Sequence, residues 1–178
     1  FNSPGANPNA VKELVLAGLL LASRKIADGI QWCKGLTPGE QTVEKQVEAG
    51  KKQFAGPELA GKTLGVIGLG AIGLQVANAG VALGMDVLGY DPYISVDNAW
   101  RLSRSVTHAL SLDEVIEKSD YITLHVPLTD GNRGMIDAGA ISRMKNTAAL
   151  LNFARGPLVN VADVKEALEQ GQLRVYVT

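Results

Sequence analysis

Residues 63–91 constrain the fold of this chain more than any other stretch. They open with a short apolar run, Leu64–Ile67, which is typical of a strand buried on both faces. The sequence G-L-G-A-I-G follows at residues 68–73, and apolar residues then recur at helical spacing until Gly84. A second apolar run ends at Asp91. The pattern predicts a strand, a glycine-rich turn, a helix and a second strand.

This order of elements predicts a dinucleotide-binding site in which each glycine has its own role. Gly68 would allow the tight turn, Gly70 would let a pyrophosphate approach the backbone, and Gly73 would let helix and strand pack closely. The phosphates would lie at the start of the helix, where the dipole favours negative charge. The alternative is a glycine-rich turn that binds nothing. It does not explain why a strand precedes the motif, a helix follows it and an acidic residue lies at the expected distance.

The cofactor preference follows from Asp91, which lies 18 residues after Gly73 (91 minus 73) at the tip of the second strand. Its carboxylate would accept hydrogen bonds from a ribose diol. The same charge would repel the 2′-phosphate of NADP. The sequence therefore favours NAD.

Composition narrows the class of protein. The 178 residues are 46% hydrophobic and 20% charged, which is ordinary for a globular α/β chain. The net charge of −1 gives no reason to expect nucleic acid or an anionic membrane as a partner. The single cysteine, Cys33, cannot form an internal disulfide, which favours the cytoplasm. Leu14–Ala22 is apolar but too short to span a bilayer, and we expect no metal site.

A long helix is predicted near the start of the chain. Asn7 and Pro8 are typical of a helix start, the apolar pattern runs to about Ala27, and Gly29 would suit the C-cap. The apolar residues exceed one buried stripe. The helix would either face the core on one side and another domain or subunit on the other, or be buried within its own domain.

Strands and helices alternate in the rest of the chain, after a polar connector with a helical patch at residues 42–54. The exception is residues 92–107, which we expect to be irregular apart from one helical turn around Asn98–Leu102. The predicted strands are Asp120–Val126, Ala148–Asn152 and Leu173–Val177, and the predicted helices are Ser111–Lys118, Ala138–Met144 and a helix from Asn160 or Asp163 to Glu169. This alternation predicts a Rossmann-type α/β fold, a doubly wound parallel sheet with helices on both faces. Ligands bind such sheets at the carboxyl ends of the strands.

Arg155 is the candidate catalytic residue. It follows the strand that ends at Asn152, so it would reach the crevice where a cofactor binds. A planar guanidinium matches a carboxylate through two parallel hydrogen bonds. It could hold a 2-hydroxy or 2-oxo acid and polarise the carbonyl that receives hydride. The alternative is an ordinary surface charge.

Together these motifs resemble the D-isomer-specific 2-hydroxyacid dehydrogenases. The matching segments, in chain order, are Asn2–Arg24, the glycine loop with Tyr90–Pro92, His125–Thr129 and Asn152–Val159. The resemblance implies an NAD-dependent oxidoreductase acting on a 2-hydroxy acid. It also implies that residues 1–178 are the NAD-binding domain, with a crossover helix region at 1–30, a core at 58–178 and the substrate domain elsewhere.

The resemblance implies a role for each candidate residue. It implies that Arg155 is catalytic and that Asn2 contacts the substrate. For the cofactor, it implies that Ala71 and Ile72 contact the pyrophosphate, Asp91 the adenosine ribose, Val126 and Pro127 the adenine, and Phe153 and Ala154 the nicotinamide half.

The departures from the family pattern concern the proton transfer. The family's acid–base histidine and its glutamate partner would lie beyond Thr178, and Asn160 stands where the family has aspartate. We expect His125 to be a structural histidine, and His108 has no motif around it. Because the chain begins at Phe1 and stops inside a predicted strand, we expect a piece of a longer protein that binds NAD without turning over substrate.

The sequence bears on two rival functions. A short-chain dehydrogenase needs Tyr-x-x-x-Lys, and none of the four tyrosines has a lysine four residues later. The alternative that stays open is a corepressor-like module of the same fold, which binds NAD and dimerises. A homodimer through the N-terminal helix fits either function.

Overall fold

A parallel sheet carries the fold in the computed structural model, which describes residues 7–39 and 41–178. Within those ranges it has six strands, in the order β3-β2-β1-β4-β5-β6. The strands are β1 (Thr63–Ile67), β2 (Asp86–Tyr90), β3 (Val106–His108), β4 (Tyr121–Leu124), β5 (Ala149–Leu151) and β6 (Val175–Val177). This order is that of a dinucleotide-binding sheet, so the predicted Rossmann-type fold is confirmed.

Helices cover both faces of this sheet. They are α1 (Pro8–Arg24), α2 (Ile26–Lys34), α3 (Val43–Gly50), α4 (Gly73–Ala82), α5 (Val96–Arg101), α6 (Leu112–Lys118), α7 (Ala138–Ser142) and α8 (Val161–Glu169). Short 3-10 turns lie at Lys51–Phe54, Asp130–Asn132 and Gly156–Leu158. One core cluster joins α1 and α4 to the sheet, and a second joins α6, α7 and α8 to its other face. Among the helices of the described ranges, none has the length and apolar character needed to cross a bilayer.

The central strand β1 fixes where a ligand can bind. Ile67, its last residue, pairs with Tyr90 of β2 on one side and with Leu124 of β4 on the other, so these three strands end level. The chain winds outward in opposite directions from β1 and β4, which makes their junction the switch point of the sheet. Doubly wound sheets bind ligands in the crevice at such a point.

The N-terminal helix is shorter than predicted. α1 ends at Arg24, Lys25 adopts the left-handed conformation with φ 48°, and α2 then contains Gly29, which is not a helix cap. Polar groups in the last turn of α1 form hydrogen bonds with residues distant in the sequence. The guanidinium of Arg174 donates to the Ala22 carbonyl at 2.7 Å, and the Tyr121 hydroxyl lies 2.7 Å from Oγ of Ser23. Asn7 precedes the helix without a capping hydrogen bond from its side chain.

The segment predicted to be irregular, residues 92–107, holds α5 and the start of β3. Ser95 caps α5 by accepting a hydrogen bond from the Asn98 amide at 3.2 Å. β3 was missed because it is a three-residue edge strand whose residues are mostly exposed, so it lacks an apolar run.

Two predicted helix starts are resolved by their caps. Ser111 and Glu114 have the sequence pattern of a capping box, in which each side chain accepts from the other's amide. Ser111 does accept from the Glu114 amide, but the Glu114 carboxylate accepts from the Leu110 amide at 2.8 Å. α8 starts at Val161, because Asn160 accepts hydrogen bonds from the amides of the second and third residues of the helix.

Candidate cofactor-binding site

The glycine loop between β1 and α4 requires glycine at its first and last glycine positions. Gly68 has φ +92°, and a Cβ there would lie 2.7 Å from the carbonyl oxygen of His125. A Cβ on Gly73 would collide with the carbonyl oxygen of Gly68. Both obstacles are backbone atoms, which cannot move aside as a flexible side chain can. The loop therefore has the compact shape that the sequence predicted.

The middle of the loop faces open space. A Cβ on Gly70 would meet nothing within 4 Å. α4 begins directly after the loop with no side-chain cap on its N-terminal amides, whereas α5, α6, α7 and α8 are each capped by a side chain. The Leu74 amide already donates to the Gly70 carbonyl at 3.0 Å. A phosphate that approaches past Gly70 would therefore use the other first-turn amides of α4, which have no partner within the helix.

Asp91 lies at the end of β2 and faces the glycine loop. One carboxylate oxygen accepts from the Leu69 amide at 2.8 Å, and the other accepts from the Tyr93 amide at 2.9 Å. A carboxylate oxygen can accept more than one hydrogen bond, so each retains capacity for a ribose hydroxyl. The contact to Leu69 ties the acid directly to the glycine motif.

A cavity of about 550 Å³ opens at the switch point. Its walls bring together five of the predicted cofactor residues: Gly68, Gly70, Asp91, Val126 and Pro127. They also include residues that the sequence analysis did not single out, namely Tyr93, Thr129 and Asn132. Other predicted residues lie outside these walls: Ala71, Ile72, Gly73, Phe153, Ala154 and Arg155. The cavity is mostly apolar with one carboxylate at its edge, which suits an adenosine better than a highly charged ligand.

Arg155 follows β5 in a turn that Asn152 shapes. The buried amide of Asn152 donates to the Arg155 carbonyl at 3.0 Å and accepts from the Ala154 amide at 3.2 Å. The Arg155 side chain is exposed, and within residues 7–39 and 41–178 no carboxylate forms an ion pair with it. The role of Asn152 in shaping this turn was not predicted, although an asparagine directly after a buried strand was a signal for it.

Phe153 contacts the N-terminal helix. A Cβ on Gly18 of α1 would lie 3.1 Å from the Phe153 ring, so the small residue makes room for the aromatic one. Phe153 also packs against the core cluster that contains Leu19 and Leu151. Its ring is thus held between α1 and the end of β5.

His125 follows β4 and lines the cavity. Its Nε2 atom lies 2.9 Å from Oγ1 of Thr123, and its amide donates to the Ile67 carbonyl at 2.7 Å. Burial lowers the pKa of the imidazole from its usual 6.5 to about 4. The ring is therefore neutral at pH 7 and has a partner, which fits the structural role expected of it. His108 is exposed at the end of β3.

The lowered pKa of His125 predicts a loss of stability in mild acid. Between about pH 6.5 and pH 4 the unfolded chain binds a proton that the folded chain does not. The free energy of unfolding therefore decreases as the pH is lowered through this range. The two pKa values give a loss of about 2 kcal/mol between pH 7 and pH 5. Urea unfolding at both values should show that loss in the wild type and in the control His108→Gln, and a much smaller one in His125→Gln. Equal losses in all three would contradict the prediction.

Two further parts of the prediction concern a substrate residue and metal binding. Asn2 lies outside the described residues. Within the residues that the structure describes, no group of three or more His, Cys, Asp or Glu side chains is arranged to hold a metal ion.

The chain matches one protein family over most of its length. The sequence model of the D-isomer specific 2-hydroxyacid dehydrogenase, NAD binding domain, covers residues 26–178. The D-3-phosphoglycerate dehydrogenase of Methanocaldococcus jannaschii is 40% identical over 173 residues, which are 97% of this chain and 30% of that protein. The hydroxypyruvate reductase of Thermotoga maritima is 35% identical over 174 residues, covering 97% of this chain and 51% of that protein.

Solved structures give the same result. D-lactate dehydrogenase from Aquifex aeolicus, complexed with NAD and lactic acid, superposes with a TM-score of 0.78 at 32% identity. The match covers 98% of this chain and 48% of that one. The chain thus spans less than a third of the phosphoglycerate dehydrogenase and about half of the lactate dehydrogenase. This chain belongs to the D-isomer specific 2-hydroxyacid dehydrogenases, and it is an NAD-binding domain of that family.

Proposed function

We propose that this domain serves an NAD-dependent enzyme that oxidises a D-2-hydroxy acid, with 3-phosphoglycerate as the favoured substrate. The D-3-phosphoglycerate dehydrogenases among the relatives support this choice, at 34–40% identity. The observation that carries the proposal is the exposed guanidinium of Arg155, which follows β5 at the same edge of the sheet as the cavity. Nothing in the family match supports the corepressor-like alternative.

In this proposal the cofactor lies across the carboxyl ends of the strands. Asp91 would hold the ribose, and Val126 and Pro127, which line the same cavity, would lie beside the adenine. Gly70, Ala71 and Ile72, at the start of α4, would hold the pyrophosphate. Phe153 and Ala154 would border the nicotinamide half, and Asn2 would contact the substrate. Two elements of the structure support this path: the open space beside Gly70, and the orientation of Asp91 towards the loop.

Arg155 would bind the substrate carboxylate and orient the carbon that reacts. Bound NAD would supply the acceptor for the hydride that leaves this carbon. As the hydroxyl becomes a carbonyl, a fixed positive charge beside the carboxylate stabilises the developing dipole. Asn152 contributes by fixing the turn that carries Arg155, whose guanidinium donates to the Ala154 carbonyl at 2.8 Å. The proton needs a separate acceptor, and neither histidine of the sequence supplies it beside Arg155. His125 is neutral and bonded to Thr123, and His108 is the last residue of β3, the strand at the far edge of the sheet.

Turnover tests the proposal. The purified 178-residue chain should bind NADH but show no NAD reduction with 3-phosphoglycerate, because neither of its two histidines lies beside Arg155 to take the proton. In the enzyme that contains this domain, Arg155→Gln should lower kcat/KM at least about 100-fold, since it removes a charge-assisted pair of hydrogen bonds. NADH affinity should be unchanged. Turnover by the isolated chain, or an Arg155→Gln enzyme with ordinary kcat/KM, would contradict the proposal.

The assembly and the location are further parts of the proposal. We propose a homodimer through the N-terminal helices, because Leu14, Leu20 and Leu21 of α1 are 56%, 44% and 47% exposed. Light scattering should give twice the chain mass, and Leu20→Asp should halve it; an unchanged mass would place the interface elsewhere. The proposal also divides the chain into a crossover region at 1–30, which would form the dimer contact, and a core at 58–178.

The exposed thiol of Cys33 favours the cytoplasm as the location.

A further inference from the structure

Both backbone polar groups of Leu69, the residue between the first two glycines of the loop, are held by side chains. The Leu69 amide donates to the carboxylate of Asp91 at 2.8 Å. The Leu69 carbonyl accepts from the side-chain amide of Asn98 at 3.2 Å. The Leu69 side chain itself is 3% exposed and belongs to the core. The loop is therefore fixed at this residue from three directions.

Asn98 can hold the loop because its own helix is anchored. Ser95 caps the start of α5 through the Asn98 amide. At the other end, the side chain of Asn78 on α4 donates to the Arg101 carbonyl at 3.0 Å and accepts from the Ser103 amide at 2.8 Å. α5 is therefore linked to the start of the glycine loop through Leu69 and to α4, the helix that follows the loop, through Asn78.

The contact at the Leu69 carbonyl sets the direction of the next amide. A peptide group is planar and trans, so its C=O and N–H point in opposite directions. Asn98 holds the oxygen of the Leu69–Gly70 peptide, and the Gly70 N–H therefore points away from α5. Gly70 also lines the cavity, and a Cβ at this position would meet no protein atom within 4 Å.

We propose that Asn98 is a positioning residue for the cofactor, which acts by orienting the Leu69–Gly70 peptide towards the pyrophosphate. The inference rests on the proposed binding of the pyrophosphate at the glycine loop. Asn98 itself does not line the cavity, so its effect on affinity passes through the loop backbone. Asp91 contributes to the same restraint from the amide side, but it also faces the ribose. Asn98 separates the two effects because its side-chain amide donates to the loop and, unlike Asp91, does not line the cavity.

The test compares Asn98→Ala and Asn98→Leu with the wild-type chain. Leucine keeps the volume of the side chain and removes the donor. Both variants should bind NADH about tenfold more weakly, which is the usual effect of one lost hydrogen bond. In the cofactor-free chain, the amide NMR signal of Gly70 should shift in both variants, which a general loss of stability would not cause. Val96→Ala, at a 72% exposed position on the same helix, should leave the affinity and the signal unchanged.

Each other outcome has a definite meaning. Wild-type binding of NADH together with unchanged affinity in both Asn98 variants would overturn the positioning role alone. An unshifted Gly70 signal would overturn it as well, because the peptide would then keep its orientation without the contact. Failure of the wild-type chain to bind NADH would overturn the cofactor role of the glycine loop, and this inference with it.

Discussion

Gly73→Ala should destabilise the folded chain by about 3 kcal/mol and abolish measurable binding of NADH. The new methyl group would collide with the carbonyl oxygen of Gly68, and its next neighbour is the side chain of His125 at 3.3 Å. Gly68 is itself held at φ +92° against the His125 carbonyl, so the obstacle cannot retreat. Overpacking costs about 1–3 kcal/mol, and a collision with the backbone belongs at the upper end.

Urea unfolding followed by intrinsic fluorescence measures this effect, with calorimetry for NADH. The matched control is Gly39→Ala, at an exposed glycine whose Cβ would meet nothing within 4 Å. That change should alter stability by less than about 0.5 kcal/mol and leave binding intact. A Gly73→Ala chain with wild-type stability would show that the loop opens at no cost, contrary to the packing described above.

Gly70→Ala should have the opposite profile: an intact fold and a loss of NADH affinity of at least about 30-fold. The added methyl group meets no protein atom within 4 Å, so the thermal midpoint should not move. The space that the methyl group would occupy is the one through which the pyrophosphate reaches the start of α4. Hydrogen bonds from backbone amides to a charged group contribute about 1.5–3 kcal/mol each, and the loss of one accounts for the expected change.

Calorimetry and thermal unfolding of the same Gly70→Ala sample give both quantities. Wild-type affinity for NADH would mean that the phosphates do not approach the backbone at Gly70. A large drop in the thermal midpoint would mean that the methyl group meets the protein itself. Together, the variants at positions 70 and 73 separate the glycine needed by the ligand from the glycine needed by the fold.

The sequence was most informative where the structural constraint is local. The collision at Gly73 and the positive φ at Gly68 arise within six consecutive residues, so the spacing of the glycines already encoded them. Asp91 was identified for the same reason, since it directly follows β2, the strand after α4. The alternation of strands and helices then fixed the winding of the sheet, because crossovers between parallel strands are right-handed.

The sequence was least informative where distant residues decide the local structure. α1 stops at Arg24 although the apolar pattern continues, and the contact to its last turn comes from Arg174, about 150 positions away. The same holds for the site. Asn98 and Asn78 carry no motif, and their roles appear only when α5 is seen against the loop and α4. Arg155 was found by its place after a strand, but the turn that presents it depends on Asn152.

The most direct test of the account is a calorimetric titration of this chain with NADH and, separately, with NADPH. The account predicts binding of NADH at the switch point and an affinity for NADPH at least about tenfold lower, because the Asp91 carboxylate beside the loop would repel the 2′-phosphate. Binding of neither dinucleotide would contradict the assignment of the glycine loop. Equal or tighter binding of NADPH would contradict the assignment of Asp91.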